Sequence, residues 1–383
     1  MDKTVRLFDY DAYLSRFEAT VLSSFDEDGR HVALLDRTAF FPDEGGQSPD
    51  TGTLSGVRVT YVYEKDGYIY HVTDSPLEKG ATVDGEIDFP SRYRKMQSHT
   101  GEHVLCGCAH RLYGAENVGF HLSEEYVRVD LDVFLDADAV ETIEREANDA
   151  VRGNRAVRAW YPAQFELERL DYRSKEGIRG RVRLVEIEGV DLCACCAPHV
   201  SRTSEIGMIK VVDSIRYKGG TRLWIVCGAD AADLFIKEHS TLSSLAASFS
   251  VKREDLPDAV EHLRGEAKDA LYRLRAAQRE LMKRELEALE PTDGAKCFFY
   301  DGADADEVRE FLNGAAKKCR IAAGFIGHDG EYSYTVRSDS VPLRAFAKEM
   351  NASIFGRGGG TDVMISGKLA ASRKEIEEYF SKI

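Results

Sequence analysis

No apolar run in this chain of 383 residues approaches the roughly 20 residues that a membrane-spanning helix requires. The opening stretch, Met1 to Tyr10, is charged and carries no apolar secretory segment, so a cytoplasmic protein with no membrane partner is expected. Disulfides are not expected either: eight cysteines in a long cytosolic chain do not make a disulfide framework. Positive charge is short overall, with a formal net charge of -15, which argues mildly against a generic nucleic-acid binder and leaves room only for local patches. Phosphate-loop and dinucleotide spacings are also missing, because the one glycine-rich run, Arg357-Gly-Gly-Gly-Thr-Asp-Val-Met-Ile-Ser-Gly367, fits neither. What remains is a soluble composition rich enough in apolar residues for two or three domain cores.

Against that background two short stretches stand out. One is His99-Thr-Gly-Glu102-His103 and the other is Asp191-Leu-Cys-Ala-Cys195-Cys-Ala-Pro-His199. Each offers two metal-type ligands four positions apart, a spacing that a helix would place on one face. Imidazole and thiolate together suit Zn²⁺ in a tetrahedral site, so His99, His103, Cys195 and His199 are expected to converge on one zinc. Cys193 and Cys196 could each replace Cys195 as ligand. Cys106, Cys108, Cys227, Cys297 and Cys319 sit among apolar residues and read as buried thiols. The first stretch also matches H-x-x-E-H, the inverted zinc-peptidase motif. A peptidase of that kind takes a further acidic ligand downstream, where this chain supplies cysteine and histidine.

The pattern along the chain is α+β. Residues 1–90 alternate as short strands with Asp-Gly turns and read as a small antiparallel β-barrel. Residues 91–229 mix a helix from about Arg92 to Tyr113, a second helix at Ala137–Asn154 and several strands, and form the zinc domain. Residues 230–291 are mostly helical. There Leu263, Ala267, Ala270, Leu274, Ala277 and Leu281 make a heptad seam, so a coiled coil that pairs two subunits is expected. Residues 292–383 read as a C-terminal α/β domain with the glycine-rich loop. From Arg152 to Arg183 basic residues dominate, either as a solvated face or as a phosphate-contacting patch.

Taken together, these stretches resemble the free-standing alanyl-tRNA editing proteins, which look like the editing and C-terminal parts of alanyl-tRNA synthetase. The resemblance rests on Asp36-Arg-Thr38-Ala-Phe-Phe-Pro-Asp-Glu-Gly-Gly-Gln47, on Met96-Gln-Ser-His99-Thr-Gly-Glu-His103-Val-Leu, on Cys195-Cys-Ala-Pro-His199-Val with Thr203-Ser-Glu205-Ile-Gly207, and on the glycine run ending at Gly367. It extends over nearly the whole chain, and its force lies in the order of the pieces. Two departures are plain: Cys196-Ala-Pro198 stands where the family has Gly-Gly-Thr, and Glu44 stands where a glycine is frequent. No ATP-binding motif is seen, so tRNA charging is not expected.

The resemblance implies hydrolysis of the ester between a wrong amino acid, serine first and glycine second, and tRNA(Ala), in the service of translation fidelity. It implies zinc as cofactor, activating water and polarising the carbonyl or only positioning the substrate. Glu102 is a candidate general base. Thr38, and less directly Gln47, are candidates for reading the serine hydroxyl. For tRNA the candidates are Arg179, Arg181 and Arg183 in the basic stretch and Arg357, Gly358, Gly359 and Gly360 in the glycine run. A homodimer is expected, and no DNA partner. The competing expectation is a dimeric RNA-binding protein with structural zinc and no catalysis.

Overall fold

The computed structural model describes residues 3–123, 125–174 and 181–383. The chain divides into two compact units, Met1–Leu242 and Ser243–Ile383, where the sequence suggested four segments. The barrel and the zinc domain share one unit for a physical reason. Arg92, at the start of the long helix, reaches back to Asp50 of the barrel, and both side chains are fully buried. Arg92 Nε donates to Asp50 Oδ2 at 2.9 Å, and its other nitrogens donate to the carbonyls of Ala12 and Ala39.

In the first unit, strands Arg16–Glu27, Arg30–Leu35, Tyr68–Thr73, Val57–Lys65, Gly52–Leu54 and Thr82–Ile87 close in that order into an antiparallel barrel. Phe40, Phe41, Leu54, Val59, Val62 and Ile69 fill its core. Helix α1 (Phe89–Tyr113) follows at once. Asp88 caps it by accepting from the Ser91 amide, Pro90 sits in its first turn, and Gly114 ends it in the left-handed conformation at φ 65°. Helices α1 and α2 (Ala137–Arg152) bury their apolar residues with those of an antiparallel sheet ordered Ile209–Tyr217, Gly220–Cys227, Val127–Leu131, Asn117–Leu122. The stripe Val140, Ile143, Ala147 and Val151 of α2 is buried, as its period of 3.6 requires. A third, three-stranded sheet runs Val157–Trp160, Leu184–Ile187, Asp191–Ala194 and delivers the cysteine cluster. The single turn α3 (Gln164–Leu167) lies between its first two strands. Helix α4 (Gly228–Phe249) carries the boundary between the units.

The second unit holds helix α5 (Leu256–Ala288) and a five-stranded sheet ordered Thr292–Tyr300, Cys319–His328, Glu331–Arg337, Met364–Leu369, Gly356–Gly360. The first pair is parallel and the rest antiparallel. Helices α6 (Ala305–Ala315), α7 (Leu343–Ser353) and α8 (Arg373–Phe380) complete it, with α6 in one core and α7 and α8 in another. The heptad residues Leu263, Leu274 and Leu281 are 51%, 53% and 65% exposed, so the seam is not buried within the described residues.

The glycine run corrects an expectation: it is a β-hairpin, the edge strand Gly356–Gly360 turning into Met364–Leu369. Gly358 pairs with Gly367, Gly359 with Ser366 and Gly360 with Ile365. A Cβ on Gly358 would lie 2.3 Å from the Ser366 carbonyl oxygen and 2.6 Å from Tyr334 Oη, so glycine is what lets the two strands and the tyrosine pack this closely. No helix among the described residues is long and apolar enough to cross a membrane.

Candidate metal centre and adjoining cavity

The two metal-type stretches meet. One ligand atom from each of His99, His103, Cys195 and His199 lies within 4.8 Å of the others. Cys195 Sγ is 3.6 Å from His99 Nε2 and 3.3 Å from His199 Nε2. His99 and His103 stand one turn apart on α1, as their spacing requires. Cys195 and His199 do not share a helix. They lie in the irregular segment after strand Asp191–Ala194, and Pro198 lies between them. Gly101, between the two α1 ligands, lets the helix press on Cys227, whose Sγ would lie 2.4 Å from an added Cβ.

Each histidine is oriented through its other ring nitrogen. His99 Nδ1 faces Gln47 Oε1 at 2.8 Å, His103 Nδ1 faces Asp191 Oδ2 at 3.1 Å, and His199 Nδ1 faces Thr100 Oγ1 at 3.0 Å. The Thr100 hydroxyl donates to the Met96 carbonyl at 2.7 Å, so it accepts from His199. All three imidazoles are therefore protonated at Nδ1, and all three Nε2 lone pairs are left for one point. Asp191 is itself gripped by Arg173, through Nε at 2.8 Å and Nη2 at 2.9 Å.

The electrostatics select one thiol. Burial opposes ionisation of Cys195, but the imidazoles of His99 and His199 and bonds from His103 and His199 hold its pKa well below the usual thiol value. Burial lifts Cys193 to about 11, and burial with the neighbouring Cys195 and Glu44 charges lifts Cys196 as well. Burial takes His199 down to about 3, which keeps it a neutral donor. Burial would lower His103 too, but Asp191 and Cys195 reverse that and raise it. Three imidazole nitrogens and one thiolate form the donor set of zinc, so these residues fit that ion.

Beside this cluster opens a cavity of about 330 Å³, lined by His99, Glu102, His103, Cys195 and Cys196 and also by Glu44, Gly45, Arg6 and Arg181. Glu102 is buried. Its Oε1 accepts from Asn117 Nδ2 and from the Cys106 thiol, and its Oε2 lies 3.9 Å from His103 Nε2. Phe120 covers His99, ring centres 4.7 Å apart. Arg181 sits at the cavity over the Tyr161 ring, 4.5 Å from its centre.

Other expected site residues are placed differently. Thr38 is fully buried in the barrel. Its hydroxyl accepts from the Phe40 amide at 3.1 Å and donates to His71 Nε2 at 2.9 Å, and it is not among the residues lining the cavity. It is a contact within the barrel. Gln47 serves by fixing His99 rather than by facing the cavity. Arg183 is buried, donates to the carbonyls of Cys195 and Ala197 at 3.1 and 2.9 Å and so braces the ligand loop, and it also lines the cavity. Arg179 lies outside the described residues. Arg357 and the glycines Gly358, Gly359 and Gly360 lie on the exposed edge strand of the second unit. Sequence reasoning passed over Asp191, Thr100, Arg173 and Asn117. A carboxylate two residues before a cysteine cluster was the one available signal, since partners of ring nitrogens come from distant segments.

The family described as "Threonyl and Alanyl tRNA synthetase second additional domain" matches residues 182–223, which include Cys195 and His199. The alanine–tRNA ligase of Pyrococcus abyssi is 30% identical over 407 residues, covering all of this chain. Along its whole length the chain is similar to part of the alanine–tRNA ligases. The alanine–tRNA ligases of Pyrococcus furiosus and Halobacterium salinarum are 31% and 32% identical and cover 98% and 94% of it. This synthetase-like chain spans less than half of these relatives, 43% to 44% of their length. A solved structure, the C-Ala domain from Aquifex aeolicus alanyl-tRNA synthetase, aligns with 24% of this chain and 92% of its own, at 13% identity and a TM-score of 0.21.

Proposed function

We propose that this chain is a trans-editing hydrolase of the cytoplasm that deacylates mischarged tRNA(Ala), seryl-tRNA(Ala) first and glycyl-tRNA(Ala) second, and works as a homodimer paired through α5. The observation that carries the reading is the convergence of three Nε2 lone pairs and the Cys195 thiolate at the wall of a cavity that also holds a buried carboxylate. His99, His103, Cys195 and His199 would hold zinc, which would supply Lewis acidity beside the ester. Glu102 takes the proton of the attacking water at Oε2, while Asn117 and the Cys106 thiol hold Oε1 in place. Arg181 at the cavity receives phosphate of the tRNA end, and Arg357 with its glycine strand offers a second contact for the RNA.

A complete set of four protein donors is also the pattern of a structural zinc, which keeps the non-catalytic RNA-binding reading as the competitor. The test is deacylation of Ser-tRNA(Ala) and Ala-tRNA(Ala) by the zinc-loaded chain and by a Cys195→Ala variant. Rapid loss of serine but not alanine, abolished in the variant, supports the hydrolase. Zinc and tRNA binding with neither ester cleaved supports the binding protein.

A further inference from the structure

We propose that Glu44 is the residue that recognises the α-ammonium group of the amino acid esterified to the tRNA. The inference rests on the deacylase reading and adds a specificity residue to it.

Glu44 lines the cavity beside the donor cluster. It opens the turn Glu44–Gln47, closed by the Gln47 amide donating to the Glu44 carbonyl at 3.1 Å. The far end of that turn is the residue that orients His99, so the carboxylate is tied to the same frame as the metal donors. The turn is pressed against the cysteine loop: a Cβ on Gly45, which has φ 65°, would meet Cys196 Sγ at 3.3 Å. The Glu44 carboxylate thus stands at the wall formed by Cys195 and Cys196, on a backbone that cannot drift.

Its charge is not cancelled. Arg6, the cation bound to Glu44, is divided among three carboxylates: Asp9 at 3.3 Å, Glu44 at 2.8 Å and Glu64 at 2.6 Å. Arg183 is a second cation here, its Nε 3.8 Å from Asp9, so three carboxylates face two guanidiniums, and Glu44 is the one of the three carboxylates that lines the cavity. Arg6 holds Glu44 through Oε2, which fixes the side chain without enclosing it. Arg181 supplies positive charge elsewhere on the same cavity. Groups of both signs therefore line the cavity. An aminoacyl-tRNA end has the matching pair, an ammonium group next to the scissile ester and a phosphate beyond the terminal ribose. A charge-assisted bond from that ammonium to Glu44 would set which side of the ester faces the donor cluster.

The test uses an uncleavable pair, 3′-seryl-amido-3′-deoxyadenosine and its N-acetyl form, with binding to the full zinc-loaded chain measured by calorimetry at pH 6.5, where the α-amino group is protonated. The wild type is expected to prefer the free ammonium form by roughly ten- to hundredfold, and Glu44→Gln to lose that preference. Glu64→Gln disturbs the same Arg6 cluster without touching the cavity and is expected to keep it, which separates recognition from a structural effect. Kinetics should agree: Glu44→Gln raises KM for Ser-tRNA(Ala) and brings it close to that for N-acetyl-Ser-tRNA(Ala). The proposal is overturned if Glu44→Gln retains the preference, or if the wild type shows none. If the wild type fails to hydrolyse Ser-tRNA(Ala) at all, the deacylase reading falls and takes the substrate assignment of Glu44 with it. Retained hydrolysis with an unchanged binding ratio removes Glu44 alone.

Discussion

Gln47 Oε1 and His99 Nδ1 lie 2.8 Å apart, both buried, although 52 positions separate them in the chain. The amide belongs to a glycine turn beside the barrel and the imidazole to α1, so the contact makes the metal centre depend on the docking of two substructures. Outer partners of this sort are worth about 10- to 100-fold in metal affinity. Gln47→Ala and Asp191→Asn are each expected to weaken zinc binding by that factor, in a chelator competition assay, without removing a ligand. Cys193→Ala and Cys196→Ala are expected to retain zinc, whereas Cys195→Ala loses it. Zinc retained by Cys195→Ala would overturn the ligand assignment.

His71 gives the first unit an acid-sensitive point. It is completely buried, and burial holds its pKa at about 4, below the usual 6.5, while the Thr38 hydroxyl donates to Nε2. A depressed folded-state pKa means the unfolded chain binds the extra proton between about 6.5 and 4. The contribution is thus present in full above about 6.5 and is lost as pH falls toward 4. At roughly 1.4 kcal/mol per pKa unit it amounts to about 3 kcal/mol. Urea titrations at pH 7 and pH 5 should show about 2 kcal/mol of this loss in the wild type and a flatter profile in His71→Gln. Equal slopes in both proteins would remove His71 as the cause.

The Arg92–Asp50 pair is the second structural hinge between barrel and α1. Removing one partner leaves a buried charge, a loss of about 3–5 kcal/mol. Arg92→Met is expected to lower the denaturation midpoint strongly, and Arg92→Met with Asp50→Asn to recover part of it. If Arg92→Met alone is neutral, the pair does not hold the two parts together.

In the second unit two adjacent glycines should behave oppositely. A Cβ on Gly358 meets the Ser366 carbonyl and Tyr334, while a Cβ on Gly359 meets nothing within 4 Å. Gly358→Ala should lower the thermal midpoint by several degrees, and Gly359→Ala should leave it within about a degree. Equal effects would contradict the packing described for this strand pair.

The exposed seam of α5 predicts the oligomeric state. Leu263, Leu274 and Leu281 at about half exposure or more present an apolar stripe that a second copy would cover. Leu274→Glu is expected to turn a dimer into a monomer in sedimentation equilibrium. A wild type that is already monomeric would remove the dimer.

Much of this protein is set by local pattern. The period of two along the first 87 residues, the Asp88 cap, the left-handed Gly114 end and the buried stripe of α2 are all decided by neighbours within a few residues, and so they are legible in the chain. The histidine pair on α1 belongs to the same class, because four positions on a helix fix a distance. The second ligand pair was legible only as residue types. Its helix-like spacing was misleading, since a loop carries it and its place comes from strand pairing with Leu184–Ile187. Thr38 and Arg183 show the limit most directly: their chemistry suggested ligand contacts, yet His71 and two loop carbonyls took their hydrogen bonds. A buried polar group must find a partner, and which partner it finds depends on segments far away in sequence. The donor types, their order and the helix were therefore determined by the sequence itself. The orientation of the histidines, the lowered pKa of Cys195 among three cysteines and the lining of the cavity were decided by tertiary packing, because each depends on charges and hydrogen bonds that only folding brings within a few ångströms.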